Sequence, residues 1–145
     1  GTWTWSARGW SYRYADGTFP TNTSKTIDGQ VYRFDADGYM RTGWVFEWGS
    51  WYYHALSGAQ ATGWVLDGVS WYYLTPGTGQ MATGWVKDGS HWYYLNPANG
   101  KMKTGWHYED GSWYYLKPGS GQMVTGRLWI VWKYYRFSDN GTLIR

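Results

Sequence analysis

The 145-residue chain carries 14 Trp, 15 Tyr and 4 Phe beside 21 Gly and no Cys, and its 13 basic and 10 acidic residues leave a formal charge of +3. No stretch approaches the ~18 apolar residues of a membrane helix and no basic leader precedes an apolar run, which excludes a spanning helix and a retained signal peptide; the missing thiols exclude disulfides and cysteine zinc sites. Scattered Lys and Arg argue against nucleic acid, and His54, His91 and His107 are too irregularly spaced for a metal motif, so no cofactor is expected.

The chain is built from repeats, the feature to seek before secondary structure. Residues 1–41 read as atypical N-terminal units, among them Tyr32-Arg33-Phe34-Asp35 with Gly38 and Met40. Residues 42–124 hold the regular ones. There Thr-Gly-Trp ends at Trp44, Trp64, Trp85 and Trp106, and seven residues after each stands a second tryptophan, at Trp51, Trp71, Trp92 and Trp113. Each second Trp opens a run such as Trp71-Tyr72-Tyr73-Leu74, which leads to a Gly and, two places on, to Met81, Met102 or Met123; Gln60 stands where the first of these methionines is expected. Residues 125–145 return to the irregular form, with Arg127 in place of a Trp and Tyr135-Arg136-Phe137-Ser138 before Gly141 and Leu143. Irregular end units suit a stacked array, whose outermost faces have no neighbour. Residues 1–145 therefore read as a single repeat domain of the all-β class, a solenoid of stacked β-hairpins.

The hairpins are read from Asp-Gly pairs between aromatic and β-branched flanks. With Asp67-Gly68 as the two turn residues, Trp64 stands opposite Trp71, and the same count sets Trp85 opposite Trp92. Around Gly49 and Gly111 the glycine falls one place later, which suggests a longer turn. Strand alternation puts the Trp and the second Tyr of each run on one face and Tyr52, Tyr72, Tyr93 and Tyr114 on the other, where they read as core. A lone hairpin is marginal in water, so units must stack. The aspartates before glycine read as turn formers. Glu47 and Glu109 fall at hairpin tips as solvated side chains, and no facing carboxylate pair or nucleophile constellation suggests an enzyme.

What remains is a wall of rings. Four tryptophan pairs would be an odd core, because indole donors need partners that Leu or Ile would not. A box of two Trp from one hairpin and a Tyr from the next, floored by a Met, suits a quaternary ammonium. Each ring contributes roughly 0.5–2 kcal/mol to a cation over its face. One such site gives about millimolar affinity after association costs, and several on one stack gain roughly 10²–10⁴ in avidity toward a polymer repeating the ligand.

The Gly-Trp, seven-residue step, Trp-Tyr-Tyr-Leu, Gly-x-Met pattern over Thr42 to Met123 resembles the choline-binding repeats of bacterial and phage cell-wall hydrolases and surface proteins, and the opening Tyr12-Arg13-Tyr14-Ala15-Asp16-Gly17 is similar to the N-terminal part of such modules in autolysins. The resemblance implies a left-handed superhelix that anchors an extracellular protein to choline-bearing teichoic acid in the cell wall. Carried onto this sequence it implies three boxes: Trp44, Trp51, Tyr73 and Met81; Trp64, Trp71, Tyr94 and Met102; Trp85, Trp92, Tyr115 and Met123. Trp106 and Trp113 form a fourth pair whose third wall, by the same count, is Arg136, as Arg33 would be for Trp3 and Trp10; a guanidinium there opposes a cationic ligand. Members of the family commonly form one end of a larger protein, and Gly1 reads as a cut.

Leu128-Trp129-Ile130-Val131-Trp132 puts an apolar tip on the last hairpin, a candidate contact surface, and the resemblance makes a homodimer through it one expectation. Glycan binding is the rival ligand class, since similar aromatic repeats occur in glucan-binding proteins and sugars also stack on Trp. Beside the boxes only Gln60, His54 and His91 offer polar contacts, with Arg33 and Arg136. A purely structural spacer with every ring buried is the third reading.

Overall fold

A computed structural model describes all of residues 1–145. Every regular element is a strand, and the strands come in consecutive antiparallel pairs. They are β1 (Thr2–Ser6) with β2 (Gly9–Arg13), β3 (Thr23–Ile27) with β4 (Gln30–Phe34), β5 (Gly43–Glu47) with β6 (Ser50–His54), β7 (Gly63–Asp67) with β8 (Ser70–Leu74), β9 (Gly84–Asp88) with β10 (His91–Leu95), β11 (Gly105–Glu109) with β12 (Ser112–Leu116), and β13 (Gly126–Ile130) with β14 (Lys133–Phe137); the short β15 (Leu143–Ile144) adds to β14. The chain divides into two compact units, Gly1–Val65 with Leu74–Met81, and Leu66–Tyr73 with Ala82–Arg145.

Each hairpin closes through two turn residues, and two turn chemistries recur. Asp28-Gly29, Trp48-Gly49 and Asp110-Gly111 carry positive φ at both positions, as a type I′ turn requires. Gly68-Val69 and Gly89-Ser90 carry it only at the first, the type II′ form. The Asp-Gly reading of these last two hairpins is thereby corrected. Asp67 and Asp88 stay in the strands, and Trp85 pairs with Tyr94 while Trp92 pairs with Lys87. With Gly first, only glycine takes the left-handed conformation, and the aspartate avoids a cost of roughly 1–2 kcal/mol. The longer turns expected at Gly49 and Gly111 are two-residue turns as well, with Trp44 opposite Tyr53 and Trp106 opposite Tyr115. The register therefore differs by two residues from the expected one. A shift of two leaves the face of every side chain unchanged, so each Trp pair does share a face, as diagonal rather than direct neighbours.

Within each unit the front face of one hairpin, which carries the tryptophans, meets the back face of the next. Backbone bonds tie them: Met40 N–H donates to Trp10 O (2.7 Å), Gln60 to Val31 (2.8 Å) and Met81 to Trp51 (2.8 Å) in the first unit, and Met102 to Trp71 and Met123 to Trp92 (both 2.8 Å) in the second. The Gly-x-Met spacing has a packing reason. A side chain at Gly121 would meet Met102 Sδ at 2.5 Å, and Gly58 and Gly141 leave room in the same way for Met40 and Met123 and Gly79 for Gln60.

Beside Ile27, Val45, Tyr52, Tyr73, Tyr94 and Ile130, the core takes from each hairpin after the first the residue that ends its second strand. In the first unit these are Phe34, His54 and Leu74, and in the second Leu95, Leu116 and Phe137, all buried. Burying each of the leucines contributes about 1.5–3 kcal/mol. Tyr52 is buried as the sequence led us to expect, but Tyr72, Tyr93 and Tyr114 are half-buried. No helix is long and apolar enough to cross a membrane.

Candidate functional site: aromatic corners on the hairpin faces

In the second unit Trp85 and Trp92 lie on the front of the hairpin β9–β10. Trp85 is half-buried against three rings. Tyr94 of its own hairpin meets it at 5.1 Å and 68°, and the back of the next hairpin supplies Tyr114 at 5.0 Å and 61° and His107 at 5.6 Å and 76°, all edge to face. Trp92 is 39% exposed, and the backbone bond from Met123 brings that methionine's backbone alongside it. The expected members Trp85, Trp92 and Met123 are thus brought together, but the tyrosine against Trp85 is Tyr114. Tyr115 lies 5.0 Å from Trp106 in its own hairpin. Front-to-back stacking explains the difference, because the second Tyr shares the Trp face and points onward, whereas the first Tyr, on the back face, points at the preceding hairpin.

The same geometry rebuilds the N-terminal end. Trp3, Trp10, Tyr32 and Met40 line a cavity of about 340 Å³ together with Leu56 and Ser57, and Tyr32 meets Trp3 at 4.9 Å. Arg33, expected to close this box, occupies the place that Tyr94 holds in its hairpin and points inward. Its guanidinium is buried over the Tyr52 ring at 3.8 Å, donates to Glu47 and to Gln60 Oε1 (2.5 Å), and lies 3.1 Å from His54 Nε2. His54 and Gln60 are therefore engaged with this cation rather than offered to a sugar. Burial, with the charges of Arg33 and Arg41, pushes the His54 pKa down against the raising effect of its bond to Gly58 O.

Trp106 and Trp113 form a corner at the C-terminal end, their rings 6.1 Å apart and nearly perpendicular at 89°. Tyr135 from the back of the last hairpin lies 5.0 Å from Trp106, and a cavity of about 320 Å³ is closed by Leu143 and Arg145. Arg136, the expected third wall, is exposed. Trp44 and Trp51 make a like corner in the first unit, 6.5 Å apart at 85°, with the Met81 N–H on Trp51 O. Trp64 is half-buried, Trp71 is 38% exposed with Met102 bonded to its carbonyl, and Tyr73 and Tyr94 are buried.

The glutamates expected at solvated tips face the preceding hairpin instead. Glu47 binds Arg33, and Glu109 accepts the Trp85 indole N–H at 3.0 Å. No group of three or more His, Asp or Glu residues is placed to hold a metal.

The family described as the choline-binding repeat matches residues 21–58, 48–83 and 82–128. Among solved structures, choline binding protein F from Streptococcus pneumoniae, determined in the presence of a peptidoglycan analogue, superposes with a TM-score of 0.89 at 35% identity over 98% of this chain and 51% of that one. CbpJ from the same organism gives 0.92 at 36% identity over 98% and 51%. The modular autolysin LytC of S. pneumoniae gives 0.79 at 28% identity over 99% and 33%. The chain thus spans about half the length of the first two or less of such proteins. No curated protein sequence gives a significant match. The chain belongs to the choline-binding repeat family.

Proposed function

We propose that this choline-binding repeat chain is a non-catalytic anchoring module, residues 1–145 acting as one extracellular unit that holds the choline of a cell-wall teichoic acid in cation–π corners. The corners are Trp3, Trp10, Tyr32 and Met40; Trp85, Trp92, Tyr114 and Met123; and, weakened by the cationic Arg145 in its lining, Trp106 and Trp113 with Tyr135 and Leu143. Trp44 with Trp51 and Met81, and Trp71 with Met102, follow the same pattern. Trp64, Tyr73, Tyr94 and Tyr115 are the supporting rings. The observation that carries the reading is the N-terminal cavity, where two indoles, a phenol and a thioether surround space for a compact apolar cation and present no carboxylate or amide for a sugar hydroxyl. Indole faces attract a trimethylammonium group that water solvates poorly, at roughly 0.5–2 kcal/mol per ring. A homodimer through the last hairpin belongs to the same reading, since Val131 and Trp132 are 79% and 86% exposed at its tip; a one-chain mass at high concentration in sedimentation would remove it.

Calorimetry with choline, tetramethylammonium and a glucan oligomer tests the function. Both ammonium compounds bind at about millimolar affinity if it is right, and binding by the glucan alone would replace it with a lectin.

A further inference from the structure

In the six hairpins after the first, one position on the back face, the last of the first strand, is occupied in order by Ile27, Glu47, Asp67, Asp88, Glu109 and Ile130. The four inner members are acids and the two outer ones isoleucine. The half-buried acids whose partners can be named each hold a donor: Glu47 takes the Arg33 guanidinium, Asp88 the Tyr73 hydroxyl, and Glu109 the Trp85 indole and the Tyr94 hydroxyl.

Glu109 is the best-anchored of them. Its Oε2 accepts Trp85 Nε1–H at 3.0 Å, and its Oε1 lies 3.3 Å from His107 Nε2. Lys103 Nζ, 3.0 Å from His107 Nδ1, has only protons to give, so Nδ1 accepts and Nε2–H donates to Glu109. The carboxylate is held below its ordinary pKa, first by the Trp85 bond and then by His107 and Tyr94, with burial opposing. It is therefore ionised when it grips the indole.

Resting on the proposed choline corner, we infer that Glu109 is a specificity-determining residue for it: through the Trp85 N–H it fixes the plane of that ring and makes its face more attractive to a cation than to a neutral group of the same shape. A charge-assisted hydrogen bond holds the ring more firmly than a neutral one. A negative charge bonded to the ring edge reinforces the negative potential on its faces, on which cation binding depends. The N-terminal corner serves as an internal control, because the equivalent position there is Ile27.

The test titrates the full chain with choline and with 3,3-dimethylbutan-1-ol, its neutral isostere, following the indole N–H signals of Trp85, Trp92, Trp3 and Trp10. Glu109→Gln, which keeps an acceptor and removes the charge, should weaken choline at Trp85 and Trp92 about three- to tenfold and leave the isostere within about twofold, with no change at Trp3 and Trp10. Parallel weakening of both ligands, or no change in either, overturns the role. Should the variant not fold, the unmodified chain decides, since the preference for choline over the isostere must be larger at Trp85 and Trp92 than at Trp3 and Trp10. If choline moves no indole signal in the unmodified chain, the choline reading itself falls and takes this role with it; choline binding without the differential removes the role alone.

Discussion

The two ends of the chain hold cavities of nearly equal size on the same pair of tryptophans, and they treat an arginine in opposite ways. At the N-terminal end Arg33 is drawn inward by Glu47, His54 and Gln60, and Tyr32 and Met40 wall the cavity. At the C-terminal end Arg145 lines the cavity itself beside Leu143. Two indoles are thus not enough to define a cation site, because what stands opposite them decides whether the field is attractive. On this argument the N-terminal corner is the stronger of the two proposed choline sites.

The most damaging way to break the contrast is to free Arg33. Glu47→Gln leaves a buried guanidinium without its counter-charge and should cost about 3 kcal/mol of stability, measured by denaturant unfolding. A loss under ~0.5 kcal/mol would mean that the pair is solvated. Next, Trp10→Ala should weaken choline at the N-terminal corner about tenfold or more, while Trp113→Ala should barely change the total heat of choline binding. Equal losses from the two would show that Arg145 does not discriminate.

The last hairpin offers a gain instead. Its turn residues Val131 and Trp132 sit at φ of 38° and 69° with no glycine. Replacing the pair by Asn-Gly should stabilise the chain by roughly 1–2 kcal/mol, read as a raised melting temperature, and an unchanged value would place the turn outside the cooperative unit. A smaller effect is expected at Arg145→Ser, which should tighten choline at the C-terminal cavity about threefold and at low salt more than at high. Weaker binding there would show the guanidinium to be part of the site.

Much of this was legible in the sequence. The repeat length, the strand pairs, the shared face of each Trp pair and the place of the methionines follow from periodicity, which fixes the face of a residue. Register was not legible, because a shift of two keeps every face. Nor was the order of stacking. Only the front-to-back contact shows that Tyr114 and Tyr32, not Tyr115 and Arg33, meet the preceding tryptophans. The acids misled for a local reason: Asp before Gly is a strong turn signal, and Gly68 and Gly89 could each close a turn alone and leave Asp67 and Asp88 in the strand.

A pH effect separates the first unit from the second. The His54 pKa is lowered in the folded chain, so the unfolded chain binds the extra proton. The stability it contributes is complete above the unfolded value near 6.5 and is lost as pH falls below it. Glu109, also lowered, contributes stability present above its unfolded value of about 4.5 and lost only at more acid pH. Melting followed from pH 8 downward should therefore decline first in a phase that His54→Gln removes. A decline that survives that substitution would assign the phase elsewhere.

The central claim is that a methylated nitrogen sits in the corner between two indoles of one hairpin and a phenol from the next. Nuclear Overhauser contacts from the choline methyl protons test it most directly. The account predicts contacts to Trp3, Trp10 and Tyr32 and to Trp85, Trp92 and Tyr114, and none to Tyr115. Contacts to Tyr115 without Tyr114, or none to any indole at saturating choline, would contradict it.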